Sequence, residues 1–539
     1  MGTIDNLLVS LDQSVTGLFG QWNSYTTAMV TFLVIIVSYR IAASQEPDTH
    51  PMLLARQAQG SPVRQEGESP VYRAHASPHG MPLNSGLNVK DSGASKWSRG
   101  RDGDLRDIWR RAAGGTPDED GKPASGKGRL LTVHGARQVI EANIDDVTRQ
   151  INLIGQHIHE QGGIRVAIYL PNSIELIAAL FACSFYSNLT AILIPFDVSD
   201  EELISMLRRS AADTVVTAPG AFPFDAVVKA YPSLRQLIWV VDEGSKHMDW
   251  NEVPEGMGGS VNVATWQEIV QEAPAAAGLE LPPVAGQHEP ADIITFWQSR
   301  AGTMEEMVRF SQANLIAGIA AQLAALPVSQ RLGPSDLFLP VDSLTNTHRA
   351  DGYCASPETL LKTHHETTSK LTSALARLSY WLKSRSLVDY GIMPVASVAT
   401  SFGDAYLPAI GTTPGKLRVV YTAERVGAHS VPLSPRELSD LRVFLGARVI
   451  YALTASKVAG AVTQTGYYDY RVHGQDSQRS HFGPPVTSTE ILLRDTADLK
   501  TTDEVSQGQI IVRGPSVAGG EAALGVFARM SDDNTVSYV

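Results

Sequence analysis

The chain reads as an α/β protein: two parallel-sheet subdomains plus a smaller β-rich part, with an N-terminal transmembrane helix. Three observations predict this. From Leu130 to Val241 short β-branched runs alternate with amphipathic helical stretches, the pattern of a parallel sheet covered on both faces. Further segments, Leu417–Glu424, Ala447–Ala455, Glu490–Asp495 and Gly508–Pro515, follow the Gly-, Pro- and Ala-rich connection Glu252–Pro290. Ahead of both, Trp22–Tyr39 carries no charged residue and is strongly apolar in its second half.

That first segment sits at the short end of the roughly 17–25 residues a membrane helix needs. Trp22, Tyr25 and Tyr39 lie near its ends, as interfacial aromatics do. Asp5 and Asp12 precede it, and Arg40, Arg56 and Arg64 follow. The charge bias predicts a single-pass anchor over residues 1–43 with the body in the cytosol, on the endoplasmic reticulum by default. Residues 44–129 are rich in Pro, Gly, Ser and charge, and read as a flexible linker. Within it a short helix is expected from Asp104. Its arginines either meet anionic headgroups or pack onto the body with Trp109 buried.

The body is expected over 130–539, with subdomains at about 130–252 and 291–539. Gln138–Glu160 has helical apolar spacing through Val139, Ile140, Ile144, Val147, Ile151, Ile154 and Ile158. Ile164–Leu170 is a strand stopped by Pro171, and Asn172 or Ser173 caps a helix over Ile174–Ser187. Thr190–Pro195 is the next strand. Ser199 and Glu202 have capping-box spacing, which starts a helix running to about Ser210. Thr214–Thr217 and Gln236–Val241 complete the strands of this half. Glu252–Pro290, rich in Gly, Pro and Ala, joins the subdomains, with a short helical stretch near Trp266.

Composition narrows the function. The 539 residues are 43% hydrophobic and 19% charged, enough for a sizeable core. A net charge of −12 disfavours nucleic-acid partners, which require a basic footprint. The two cysteines, Cys183 and Cys354, outline no disulfide framework. His364-His365-Glu366 has no partner ligands at metal-site spacing, so no metal site is expected.

Arg165-Val166-Ala167-Ile168-Tyr169-Leu170-Pro171-Asn172-Ser173-Ile174-Glu175-Leu176 is very similar to a structural segment of acyl-CoA synthetases, members of the adenylate-forming superfamily. Ile293–Val308 resembles that family's nucleotide loop, which is rich in Ser, Thr and Gly and carries a lysine. Here Ser299, Gly302 and Thr303 are kept, while Arg300 replaces a glycine and Glu305 and Glu306 stand at the proline and lysine. Arg300 and Arg309 are candidate replacement cations. Leu417–Glu424 with Val431–Pro435 resembles the strand and turn bordering the adenine pocket. Ala447–Ala455 resembles the Y-G-x-T-E strand: Tyr451 and Thr454 match, and Ala455 replaces the magnesium-binding glutamate. Phe482–Pro485 and Gly508–Pro515 resemble structural turns and strands, and no T-G-D motif or lysine-bearing C-terminal domain follows before Val539.

The resemblance implies a degenerate nucleotide site at Ser299, Thr303, Tyr451 and Thr454, with no catalytic residue and no metal ligand carried over. ATP and magnesium would be used only by an active enzyme. The expected function is a membrane-anchored, catalytically degenerate acyl-CoA synthetase-like protein that binds an acyl or lipid ligand or a partner protein. An active ATP-dependent ligase of fatty or aromatic acids and a pure scaffold are the alternatives.

Overall fold

The computed structural model describes residues 17, 20, 23–43, 46–90, 93–95, 97–115, 126–134, 138–186, 188–196, 198–241, 261–274, 277–283, 289–297, 304–333, 336–340, 370–394, 417–427, 432–472 and 479–539. Its largest sheet has seven strands. β5 (Arg165–Tyr169), β6 (Thr190–Leu193), β7 (Thr214–Thr217), β8 (Gln236–Trp239), β9 (Asn262–Thr265) and β10 (Ile293–Trp297) run parallel, and β11 (Glu306–Phe310) closes one edge antiparallel to β10. Side chains on successive strand residues point to opposite faces, and both faces are covered. Val166 and Ile168 pack under helices Ile144–Glu160 and Ile174–Phe185, while Ala167 and Tyr169 pack against Leu203, Met206 and Leu207 of helix Asp200–Ser210. The last helix starts on the capping box Ser199–Glu202, as its spacing predicts.

Two shorter sheets complete the body. In one, β12 (Val419–Arg425) runs parallel to β13 (Arg448–Thr454), which pairs antiparallel with β14 (Ala461–Gln464). A second fully parallel sheet was expected here; among the described residues it has this one parallel pair. The other is antiparallel and six-stranded: β1 (Ala58–Gly60), β2 (Tyr72–Ala74), β15 (Glu490–Arg494), β16 (Gln507–Arg513), β17 (Glu521–Met530) and β18 (Val536–Tyr538).

Three expectations need correction. The first is the membrane anchor. Ser24–Ala43 is helical, yet among the described residues no helix is long and apolar enough to cross a membrane. Ser24, Tyr25, Thr26 and Thr27 make its first turn polar, and the unbroken apolar run Phe32–Val37 rises only about 9 Å at 1.5 Å per residue. A hydrocarbon core is roughly 30 Å thick. The single-pass placement, and the endoplasmic reticulum with it, falls for the same reason.

The second correction concerns residues 44–129. Much of this stretch is built into the body: β1 and β2 extend the six-stranded sheet through Tyr72 opposite Ile491. Helix Leu105–Gly114, capped by Asp104, buries Trp109 against Phe181 at 4.9 Å between ring centroids. Arg106 folds back onto Asp104, Arg101 pairs with Asp107, and Arg110 donates to the Pro282 oxygen. These basic residues thus serve local structure. The third correction is local. The helix expected from Gln138 begins at Ile144 on the Asn143 cap. Residues 138–142 instead form β4 (Gln138–Ala142), paired with β3 (Leu130–His134), where β-branched Val139 and Ile140 suit a pleated surface.

Candidate functional site

The loop predicted to carry phosphate chemistry joins two antiparallel strands, with Trp297 of β10 opposite Glu306 of β11. Strand β11, which was not anticipated, precedes the helix Gln312–Ala324. Ser299, Arg300, Gly302 and Thr303 lie outside the described residues. So do His364, His365, Glu366 and Cys354. Both acids at the end of the loop are engaged. Glu305 is buried, where Arg209 reaches its carboxylate at 3.3 Å and its backbone oxygen at 2.6 Å while lying over the Phe296 ring. Glu306 accepts a hydrogen bond from the Ser456 hydroxyl at 2.5 Å and pairs with Lys457 Nζ at 3.1 Å. Arg309, a candidate replacement cation, points elsewhere and pairs with Asp292 at 2.7 Å.

The partners of Glu306 lie just past the end of β13, so the structure joins the Ala447–Ala455 segment to the loop. Tyr451 and Thr454 both sit on β13, but their side chains are already used. The Tyr451 ring is buried 5.1 Å from the Phe482 ring, and its hydroxyl accepts the Leu433 N–H at 3.1 Å. Burial, reinforced by the Glu424 carboxylate, pushes this phenol well above its ordinary pKa, so it stays neutral. Thr454 donates to the Glu424 backbone oxygen at 3.3 Å, tying the ends of β12 and β13 together. Ala455 is buried and presents a methyl group where the resemblance places a magnesium ligand. Among the described residues no cluster of His, Cys, Asp or Glu could hold a metal ion.

Arg425, which ends β12 beside buried Glu424, was missed in the sequence. Its guanidinium carbon lies 5.5 Å from the Trp297 ring centroid, and burial lowers its pKa against the opposing pull of Glu306. The available signal was a charged Glu-Arg pair closing the apolar run Val419-Val420-Tyr421. Arg425 and Glu424 also line a cavity of about 440 Å³ that extends to Pro432, Arg479, Phe527 and Tyr538.

Compared by sequence, the chain matches no family model and no curated protein. Solved structures do match. An acyl-CoA synthetase from Brucella canis is 16% identical with a TM-score of 0.50, covering 80% of this chain and 77% of that one. The anthranilate CoA ligase AuaEII, solved with anthranoyl-AMP, is 12% identical at TM-score 0.48, covering 84% and 79%. The A domain of a carboxylic acid reductase from Segniliparus rugosus is 12% identical at TM-score 0.46, covering 76% and 70%. The fold is therefore that of the acyl-CoA synthetases, as the Arg165–Leu176 segment implies.

Proposed function

We propose that this chain is a non-adenylating protein built on the acyl-CoA synthetase fold, which uses that scaffold to hold an acyl or lipid ligand, or a partner protein. The observation that carries the reading is the Glu306 carboxylate, clasped by Ser456 and Lys457 where the resemblance expects a free lysine. Two unit charges about 4 Å apart interact by roughly 4 kcal/mol at an effective dielectric near 20. A triphosphate placed here would meet a like charge and would compete with Glu306 for Lys457. Magnesium requires oxygen ligands, and the Ala455 side chain offers none. The described residues therefore do not fit ATP with magnesium, and no adenylation step is derived for them.

Pyrophosphate exchange into ATP, run on the full chain with a panel of fatty and aromatic acids, tests the reading. Exchange at background is expected for every acid. Acid-dependent exchange abolished by Thr454→Ala would overturn it. One observation favours the active-ligase alternative: Lys457 and Arg425 bring two cations to Glu306. Exchange lost in Lys457→Ala would support that alternative.

A further inference from the structure

Three serines of the N-terminal segment stand at intervals of eight, each followed by proline: Ser61-Pro62, Ser69-Pro70 and Ser77-Pro78. The dipeptides are equivalent in sequence, and the fold makes them unequal. Ser69 is 1% exposed and locked to β15, its N–H donating to the Leu493 oxygen and its hydroxyl accepting the Leu493 N–H, both at 2.8 Å. Ser77 is 6% exposed and donates to the Thr487 oxygen at 3.3 Å. Among the described residues one more serine precedes a proline, Ser434, and its hydroxyl caps helix Pro435–Leu445 by accepting the Glu437 N–H. Ser61 differs from all of these. It follows β1 at the start of the loop to β2, where Pro62, Val63, Arg64, Gln65 and Glu66 are all exposed. Its hydroxyl accepts the Val71 N–H at 3.0 Å and donates to the Val63 oxygen at 2.6 Å, the second contact facing solvent. Turning that hydroxyl outward gives up one donated bond, which water replaces.

Charge selects the same serine. Arg64 lies three residues beyond Ser61, whereas Tyr72, Gly80 and Glu437 hold that place after Ser69, Ser77 and Ser434. A cation there complements a kinase whose substrate groove is acidic at that distance. We infer that Ser61 is a phosphorylation site for a proline-directed Ser/Thr kinase that also reads the cation at Arg64. The γ-phosphoryl of ATP passes to Ser61 Oγ, the hydroxyl proton goes to the catalytic aspartate of the kinase, and ADP leaves. The product adds about −1.5 to −2 charge and, as a dianion, has acceptors only. It still accepts the Val71 N–H but no longer donates to the Val63 oxygen, so this carbonyl turns away and the exposed loop is reset, with Arg64 the nearest cation in sequence. Gln57 and Tyr72, which tie the segment to the body, keep their partners. The modification therefore marks the surface of this segment and does not depend on what the Glu306 site does.

The test is phosphorylation of the native full chain with ATP by two purified kinases, each serine being quantified by mass spectrometry. One kinase requires only the proline (a mitogen-activated protein kinase), and the other also reads the distant cation (a cyclin-dependent kinase). With the first, the fold alone chooses: Ser61 should be modified about tenfold or more faster than Ser69 or Ser77. In a tryptic digest of the same chain, where all three are accessible, that preference should vanish. With the second kinase, Arg64→Ala, an exposed change, should slow Ser61 by about tenfold and leave the rate with the first kinase unchanged. The phosphorylated chain should melt with the unmodified one, because the anchors at Gln57 and Tyr72 are untouched. Ser61 left unmodified by both kinases, Ser69 or Ser77 modified as fast in the native chain, a preference that survives digestion, or an Arg64→Ala chain modified by the second kinase at the wild-type rate would each overturn the inference. A lowered melting temperature on modification would overturn its confinement to the loop.

Discussion

Asp469 offers the sharpest test of how the N-terminal segment is held. Its side chain is wholly buried and accepts from Gln57 at 2.5 Å and from Arg471 at 2.9 and 2.8 Å, with His481 at 3.8 Å. Arg471 also pairs with Asp533 at 2.9 Å and donates to the Leu54 oxygen at 2.7 Å. The cluster thus ties residues 54–57 to the body from two sides. Asp469→Asn keeps the shape and removes the charge. Breaking a buried ion pair costs about 3–5 kcal/mol. Because Arg471 keeps Asp533, the lower end of that range is expected, about 3 kcal/mol. Arg471, His481 and Gln57 outweigh burial and hold the Asp469 carboxyl below the ordinary carboxylate range. A folded-state pKa that is depressed gives stability that is full above the unfolded value, about 3.9, and lost as pH falls through the folded value. The gap between wild type and Asp469→Asn in urea unfolding should therefore be largest near neutrality and close in strong acid. Hydrogen exchange should quicken around Gln57 in the variant. A gap below about 0.5 kcal/mol near neutrality, the size of an indifferent surface change, or a gap that does not close on acidification, would refute the reasoning.

Trp109→Ala should lower unfolding stability by about 3–5 kcal/mol, since Trp109 is buried against Phe181 and its indole donates to Thr148 at 3.1 Å; an unchanged urea midpoint would return this helix to the status of a linker. Gly318→Ala would place a methyl 2.2 Å from the Ala459 oxygen, a backbone atom with little room to yield, so a loss of about 1–3 kcal/mol is expected by thermal scanning. The loop it strains also carries Ser456 and Lys457, so the same variant should loosen the Glu306 clasp. Burial pushes the Cys183 thiol up to about 12. At pH 8 a maleimide should therefore leave the Cys183 peptide unmodified in the native chain and label it after denaturation.

The large sheet was legible because its strands are buried on both sides. Such strands read as unbroken apolar runs, and Arg165–Tyr169 and Thr214–Thr217 appear close to where they were expected. Capping boxes were equally legible, since Ser199 and Glu202 satisfy each other within one helical turn. β11 was not legible: Glu306–Phe310 alternates weakly, and its extended form comes from pairing with β10. β1 and β2, three residues each, carry no pattern and exist by docking on the edge of β15.

At the site, the sequence alone determined the chemistry that is present: an acid at Glu306, a methyl at Ala455, and hydroxyls at Tyr451 and Thr454. Those are properties of side chains and need no fold to be read. Only the tertiary structure decided what each group is doing. Tyr451 is committed to Leu433 and Thr454 to Glu424, Glu306 is clasped by residues far along the chain, and Arg425 is buried over the Trp297 ring. Hydrogen bonds and ion pairs depend on distances of a few ångströms between separate segments of the chain, here 18 to 150 residues apart for the hydrogen bonds, and local patterning does not encode those distances.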